Sequence, residues 1–451
     1  MRSILVWPPA AGCSASPSRA TGLTDVPHQF MCCTILVVAT IVPAAGPVSQ
    51  NAFAQNNLPH EMSRALPLES AAFAGKLVAT DEKWNLVFES DGKQQKLSAA
   101  DLLRWGRPAG LKRGPVVVLA DGGLLRADAV KYSGEVVKIE SALFGDVAVT
   151  DKLVAGIVFE LPVDRRDADR LLDWATGINR LAANDQRRQT TANGGRIRLL
   201  NGDILDGRVL HVDAENVRVE TEVGPVVTDL ERVEAICFDQ SLGNIPVPAA
   251  GGDIKAWIGL ADGSLLLVQR FLLDAKKLTI SLSGNSAGKA DDWITSPEEL
   301  SFVQPMGTKA IYLSDLTADE YRNVPYLDLA WPYGIDRNVS GGRLRWGGRL
   351  FIKGLGVHSS ARLTYMLDKP FSRFEANTAI DDSTGGMGSV RFRVYVDGKK
   401  KYSGQIVRGR DMPVPVNVDI REAKRLDLIV DFADRAGQED HANWLEARLV
   451  R

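Results

Sequence analysis

Cysteine is scarce in this chain: there are four, and three of them, Cys13, Cys32 and Cys33, precede residue 55, leaving only Cys237 beyond it. No internal disulfide can form in that remainder. Cys237 sits in the apolar stretch "VEAICFD", the setting of a buried, inert thiol rather than of a thiolate nucleophile. Histidine is nearly as rare, at five. The H-E-x-x-H, C-x-x-C, P-loop and dinucleotide fingerprints are missing, and Ser359 and Ser360, beside His358, lack a G-x-S-x-G elbow. Charge of one sign is lacking too: 54 basic and 56 acidic residues are interspersed for a formal net charge of −2, which argues against a nucleic-acid partner.

Long apolar runs are also absent. The run "CCTILVVATIVPAAGPV" at residues 32–48 is broken by Pro43 and Pro47 and falls short of the roughly 20 apolar residues that a membrane-spanning helix needs. It is followed by "SQNAFAQ", where Ala52 and Ala54 give an A-x-A pattern before Gln55. This reads as a secretory signal and predicts a secreted, periplasmic or cell-surface protein with no stable membrane insertion. Two starts fit, Met1 and Met31, the second leaving no Lys or Arg ahead of the apolar run.

What is present is ordinary globular composition, with 45% hydrophobic and 24% charged residues over 451 positions, enough for two to four domains. Two segments, residues 116–159 and 197–238, align with each other. In each, a D-G or N-G turn (Asp121-Gly122, Asn201-Gly202) follows an apolar strand. A second glycine comes 23 or 22 residues later (Gly145, Gly224), and a phenylalanine closes the unit 14 residues after that (Phe159, Phe238). A third copy at residues 256–282 repeats the turn at Asp262-Gly263, and a fainter one starts near residues 83–97. Period-2 apolar stretches joined by such turns mark hairpins, and the expectation is a set of small SH3-like β-barrels at residues 55–163 and 195–305. Between the first two clear copies, Leu171, Leu172, Trp174, Ile178 and Leu181 follow helical spacing. A helical insertion is predicted over residues 164–194, ending near Asn193-Gly194-Gly195; it either packs on a neighbouring repeat, the better reading, or carries a partner helix.

Residues 311–451 carry the cleanest strand patterns. Val390, Phe392, Val394 and Val396 alternate with polar residues up to the Asp397-Gly398 turn. The same holds for Leu363, Tyr365 and Leu367, for Phe374, Ala376, Thr378 and Ile380, for Val414, Val416, Val418 and Ile420, and for Leu426, Leu428, Val430 and Phe432. Five or more half-buried strands predict an antiparallel β-sandwich. Each inward Leu, Val or Phe contributes about 1.5–3 kcal/mol on burial.

The stretches "GGRLFIKGLGVHSSARLTYML", "FEANTAIDDSTGGMGSVRFRVYVDGKKKYSG", "PVPVNVDI", "KRLDLIVDFAD" and "DHANWLEARLV" together resemble the NPCBM family, the novel putative carbohydrate-binding module. The resemblance covers roughly a third of the chain. It implies a jelly-roll-like sandwich of the kind appended to secreted glycoside hydrolases, sugar binding without catalysis, and in some members a structural calcium ion.

Several residues are candidates for a site. His358 is either a structural histidine or a sugar contact; with no nucleophile beside it, it is a poor candidate for a catalytic base. Asp440, His441, Asn443 and Trp444 combine an aromatic face for the C–H surface of a pyranose with planar groups for its hydroxyls. Alternatively, Trp444 is core and its polar neighbours close a turn. Glu446 is the acidic residue expected after the tryptophan. Trp331, Tyr333 and Trp346 are stacking candidates or packing residues. Asp381 and Asp382, before "STGGMGS", form either a calcium-binding loop with hard oxygen ligands or a solvated one. The expected function is an exported, non-enzymatic protein that binds a glycan or polysaccharide through the sandwich. The alternative is a structural or scaffold protein that uses the sandwich and the β-repeats for protein-protein interaction.

Overall fold

The computed structural model describes residues 63–177, 181–182, 195–238, 253–282, 292–324 and 330–451. The leader expected at residues 1–54 lies outside them. The described chain is all-β apart from one α-helix and short 3-10 turns.

The repeats share one local design. In three copies an apolar strand (Val116–Leu119, Arg196–Leu199, Lys255–Leu260) runs into the D-G or N-G turn. The glycines Gly122, Gly202 and Gly263 have φ of 88°, 88° and 89°, a left-handed conformation that glycine adopts without penalty. Each donates its N–H to the carbonyl of Leu119, Leu199 or Leu260. The preceding Asp or Asn side chain accepts the N–H two residues on, closing an Asx turn. Four copies also end alike, with a 3-10 turn leading into a final strand. Ala99–Asp101 leads into Leu102–Gly106, and Asp151–Leu153 into Val154–Val158. Leu230–Arg232 leads into Val233–Cys237, and Pro297–Glu299 into Leu300–Met306. The third copy therefore runs beyond residue 282, and the faint first copy is a complete one.

These copies do not close into separate barrels as the sequence suggested. They pair instead. Ile157 lies opposite Ile236, Gly156 opposite Cys237 and Val158 opposite Ala235. Ile157 and Ile236 each stand fourth in their final strand, so the two strands meet about a local twofold axis. Trp105 and Val303 make the same self-equivalent pairing in the other two copies. Two three-stranded meanders join at Tyr132 and Val212 into a six-stranded sheet that lies beside a fourteen-stranded one. The reason is burial: all five residues of Val154–Val158 are buried, and a strand buried on both faces makes a poor free edge. Val117, Leu125, Ile139, Ile157, Val219 and Ile236, each at most 1% exposed, fill the common core.

The helix is shorter than its apolar spacing predicts, spanning Arg165–Thr176. Asp164 caps its start through the N–H groups of Arg166 and Asp167, and Gly177, at φ 63°, ends it by donating to the Trp174 carbonyl. Leu171, Leu172 and Ala175 are buried against Val116, Val118 and Ala155, so the insertion packs on a repeat as expected. Most of the rest of the predicted insertion lies outside the described residues.

The C-terminal unit is the predicted sandwich. One sheet joins Tyr333–Ile335, Gly354–Val357, Ala442–Val450, Arg373–Ile380 and Val414–Asp419. The other joins Glu320–Asn323, Ala361–Met366, Arg425–Phe432, Ser389–Val396 and Lys399–Arg408. Val390, Phe392, Val394, Leu426, Leu428 and Val430 face inward as their alternation requires, while Phe432, expected inward, is 54% exposed at the strand end. Ion pairs tie the helix to the sandwich: Asp173 receives Arg337 and Asp169 receives Arg345. Arg104 of the first repeat reaches Glu446 at 2.7 Å.

Candidate functional site

Strand register creates the site. Val357 pairs with Ala442 and Ile380 pairs with Ala442 on its other side. The residues just outside these pairs, His358, His441 and Asp381, therefore lie side by side at one end of the sheet, the two histidines half-buried and Asp381 buried. Trp331 completes the cluster. Its indole stacks on the His358 imidazole with centroids 4.7 Å apart and planes 5° apart. His441 stands 5.8 Å from Trp331 and 6.1 Å from His358. All three rings are half-buried, so the cluster is supported from below and open in part.

Residues that sequence reasoning passed over hold Trp331 in place. Its N–H donates to Asn323 Oδ1 at 2.9 Å, and its carbonyl accepts from the Tyr321 hydroxyl at 2.7 Å. Asn323 Nδ2 in turn donates to the Ser359 carbonyl at 3.1 Å, so one amide fixes both the tryptophan and the loop that carries His358. Ser360 in that loop has φ 58°, a left-handed conformation uncommon for a residue with a Cβ.

The imidazoles are kept neutral. Burial, above all, and then repulsion from His441 pull His358 down to about 4. Burial also lowers His441, against the pull of Glu439 and Asp381. Hydroxyls surround them: Ser359 Oγ lies 3.4 Å from His358 Nδ1, and Ser340 and Ser383 lie 3.4 and 3.3 Å from His441 Nδ1. A neutral imidazole offers one donor and one acceptor, which suits hydroxyl partners. Asp440 lies beneath, fully buried, accepting the Ser389 N–H at 2.8 Å. Burial raises its pKa, while hydrogen bonds from Ser389 and Ser359 act in the other direction.

Other expected contacts turn inward. Trp444 is 0% exposed and packs edge-on against Phe392 and Phe374 at 4.9 and 6.0 Å, so it presents no face to a ligand. Asn443 is likewise 0% exposed. Tyr333, 4% exposed, packs on Tyr321 at 4.8 Å. Trp346 packs in a small side cluster and donates to the Asp411 carbonyl, and the Glu446 carboxylate is committed to Arg104.

Asp381 and Asp382 do not fit a calcium ion. Asp381 Oδ1 accepts from Asn338 Nδ2 and the Ser383 N–H, and Oδ2 from Asn443 Nδ2 and the Arg345 N–H, at 2.6–3.0 Å. Asp382 accepts the N–H groups of Gly347 and Gly348. Donors thus occupy the places where a cation would sit. Among the described residues no group of three or more His, Cys, Asp or Glu is arranged to hold a metal.

Two known proteins are similar to part of this chain. A putative endo-alpha-N-acetylgalactosaminidase of Renibacterium salmoninarum is 28% identical over 117 residues, 26% of this chain and 8% of that protein. Alpha-1,3-galactosidase B of Akkermansia muciniphila is 28% identical over 116 residues, 25% of this chain and 14% of that protein. The chain thus spans a small fraction of the length of these relatives. Among solved structures, the CBM51 of a Clostridium perfringens GH95 protein in complex with methyl-galactose aligns at 23% identity and a TM-score of 0.29, covering 31% of this chain and 99% of that one. The profile of the NPCBM/NEW2 domain family matches residues 309–450, and this C-terminal third of the chain is an NPCBM/NEW2 domain.

Proposed function

We propose that the NPCBM/NEW2 domain binds a neutral, galacto-configured sugar at Trp331, His358 and His441, and that the chain is an exported, non-catalytic glycan-binding protein. The stacked Trp331–His358 pair carries this reading. An aromatic surface covers pyranose C–H groups, and the two neutral imidazoles with Ser340, Ser359 and Ser383 supply donors and acceptors for hydroxyls without bringing a net charge. A histidine held near 4 is a weak general base at neutral pH, which favours binding over catalysis. The names of the two curated relatives, an N-acetylgalactosaminidase and a galactosidase, direct the choice of probe. The paired repeats serve as a platform, joined to the domain through Asp169, Asp173 and Arg104.

Calorimetric titration of the full chain with methyl β-galactoside and N-acetylgalactosamine, against methyl glucoside, tests the reading. Saturable binding of a galacto-configured sugar, weakened at least tenfold in Trp331→Ala, is expected. Absence of binding to every glycan on an array, or full affinity in Trp331→Ala, would overturn it.

A further inference from the structure

A second recess, of about 710 Å³, lies between the repeats and the sandwich, and none of Trp331, His358 and His441 lines it. Its walls are the loop at residues 108–114, the helix start with Arg165 and Asp169, and the hairpin carrying Arg343 and Arg345. Five cations line it (Lys112, Arg113, Arg165, Arg343 and Arg345) against two carboxylates, Glu160 and Asp169, although the chain as a whole is slightly acidic.

The pairing inside the recess is uneven. Asp169 is taken by Arg345, whose Nη2 donates to Oδ1 at 3.1 Å. Behind the recess wall, Asp173 is taken by Arg337 at 2.9 and 3.0 Å. Arg343 gives Asp169 only its backbone N–H, at 2.9 Å, and among the described residues its guanidinium has no carboxylate within ion-pair distance. Burial, with repulsion from Arg337 and Arg345, lowers it to about 10 against the attraction of Asp169 and Asp173, so it remains charged at neutral pH. Lys112, Arg113 and Arg165 are exposed around it.

We infer that this recess is a second binding site, for a sugar ring carrying a carboxylate or sulfate, with Arg343 as the oxyanion anchor. A guanidinium fork matches the paired oxygens of such groups. The volume is that of a small-molecule site, and Leu111, Phe159 and Leu350 give apolar surface for a ring. The choice of a saccharide as the bearer of the oxyanion rests on the glycan-binding reading above; the charge requirement does not.

The test titrates the full chain with a heparin tetrasaccharide, which carries no galacto-configured ring for the first site, with its desulfated and carboxyl-reduced counterpart, and with sodium sulfate alone. Binding of the charged tetrasaccharide is expected to weaken with added salt. It should fall at least tenfold in Arg343→Gln and several-fold in Arg165→Gln, while galactoside binding in both variants matches the parent. Arg165 is exposed, so its variant decides the matter even where Arg343→Gln does not fold. Equal binding of the neutral tetrasaccharide, equal binding of sulfate alone, no binding of the charged probe, or indifference to Arg165→Gln would each overturn the inference. Loss of galactoside binding with retained tetrasaccharide binding would count against the first site alone.

Discussion

The indole of Trp331 and the imidazole of His358 lie parallel, 4.7 Å between centroids and 5° between planes, and neither ring sets that geometry alone. Asn323 holds the two chain segments that carry them, by accepting the backbone N–H of Trp331 and donating to the Ser359 carbonyl. Asn323→Ala should therefore weaken glycan binding by roughly fivefold to twentyfold while lowering stability by only about 1–2 kcal/mol, the usual cost of orphaning such partners. Asn323→Asp keeps the acceptor and should fall between the two. Calorimetry beside urea denaturation separates the effects, and equal affinity in all three proteins would remove Asn323 from the argument.

The neutral state of His358 gives stability a pH dependence of known sign. Its folded pKa, about 4, lies below the roughly 6.5 of an unfolded histidine, so the unfolded chain binds the proton first. Stability is then fully present above about pH 6.5 and is lost as pH falls towards 4. His441 acts in the same direction, while Asp440, raised by burial, opposes them at the acid end. With solvent screening of a half-buried ring, the His358 share is on the order of 1–2 kcal/mol. Melting temperatures of the parent and His358→Gln across pH 4–8 should converge at low pH; parallel curves would refute the assignment.

Asp381 concentrates four donors on one buried carboxylate. Asp381→Ala strands the amides of Asn338 and Asn443, and a loss of about 3–5 kcal/mol is expected, read from the urea midpoint at pH 7. Asp381→Asn keeps the volume but turns an N–H₂ towards other donors, so it should recover little of that loss.

Much of the sandwich was legible because its strands are buried on one face only. Val390, Phe392 and Val394 alternate with Arg391 and Arg393, and the structure follows that alternation. Ala442–Val450 is buried at all nine positions, so alternation could not tell Trp444, which is core, from an exposed stacking residue. The meeting of His358 with His441 depends on the register of Val357 against Ala442, a long-range pairing that no local pattern encodes. The repeats were visible as sequence. Whether each closes on itself or pairs with another depends on the fate of edges such as Val154–Val158, which is decided between copies.

Trp444 and Trp331 should respond oppositely to truncation. Trp444→Ala removes a fully buried ring from between Phe374 and Phe392 and should cost about 3–5 kcal/mol, with unchanged sugar affinity in the fraction that remains folded. Trp331→Ala should cost little stability and most of the affinity. Thermal melts and titrations on the same preparations would show the crossover, and an intact melt for Trp444→Ala would contradict its place in the core.

The local twofold that pairs the repeats is broken where the helix crosses it, and Gly156 marks the spot. Its twofold equivalent in the second copy is Ala235, which carries a Cβ without difficulty. A Cβ on Gly156 would come within 2.3 Å of both the Ala175 carbonyl oxygen in the helix and the Ile236 carbonyl oxygen in the paired strand. Neither backbone can yield without parting the strand from its neighbour or the helix from the sheet. Gly156→Ala should therefore destabilise the repeats by at least about 2–3 kcal/mol, as overpacking against rigid backbone does. Gly110→Ala, whose Cβ would meet nothing within 4 Å, should stay within about 0.5 kcal/mol of the parent. Chemical denaturation of the two variants side by side reads the difference directly, and equal midpoints would mean that helix and sheet can separate at this contact without loss.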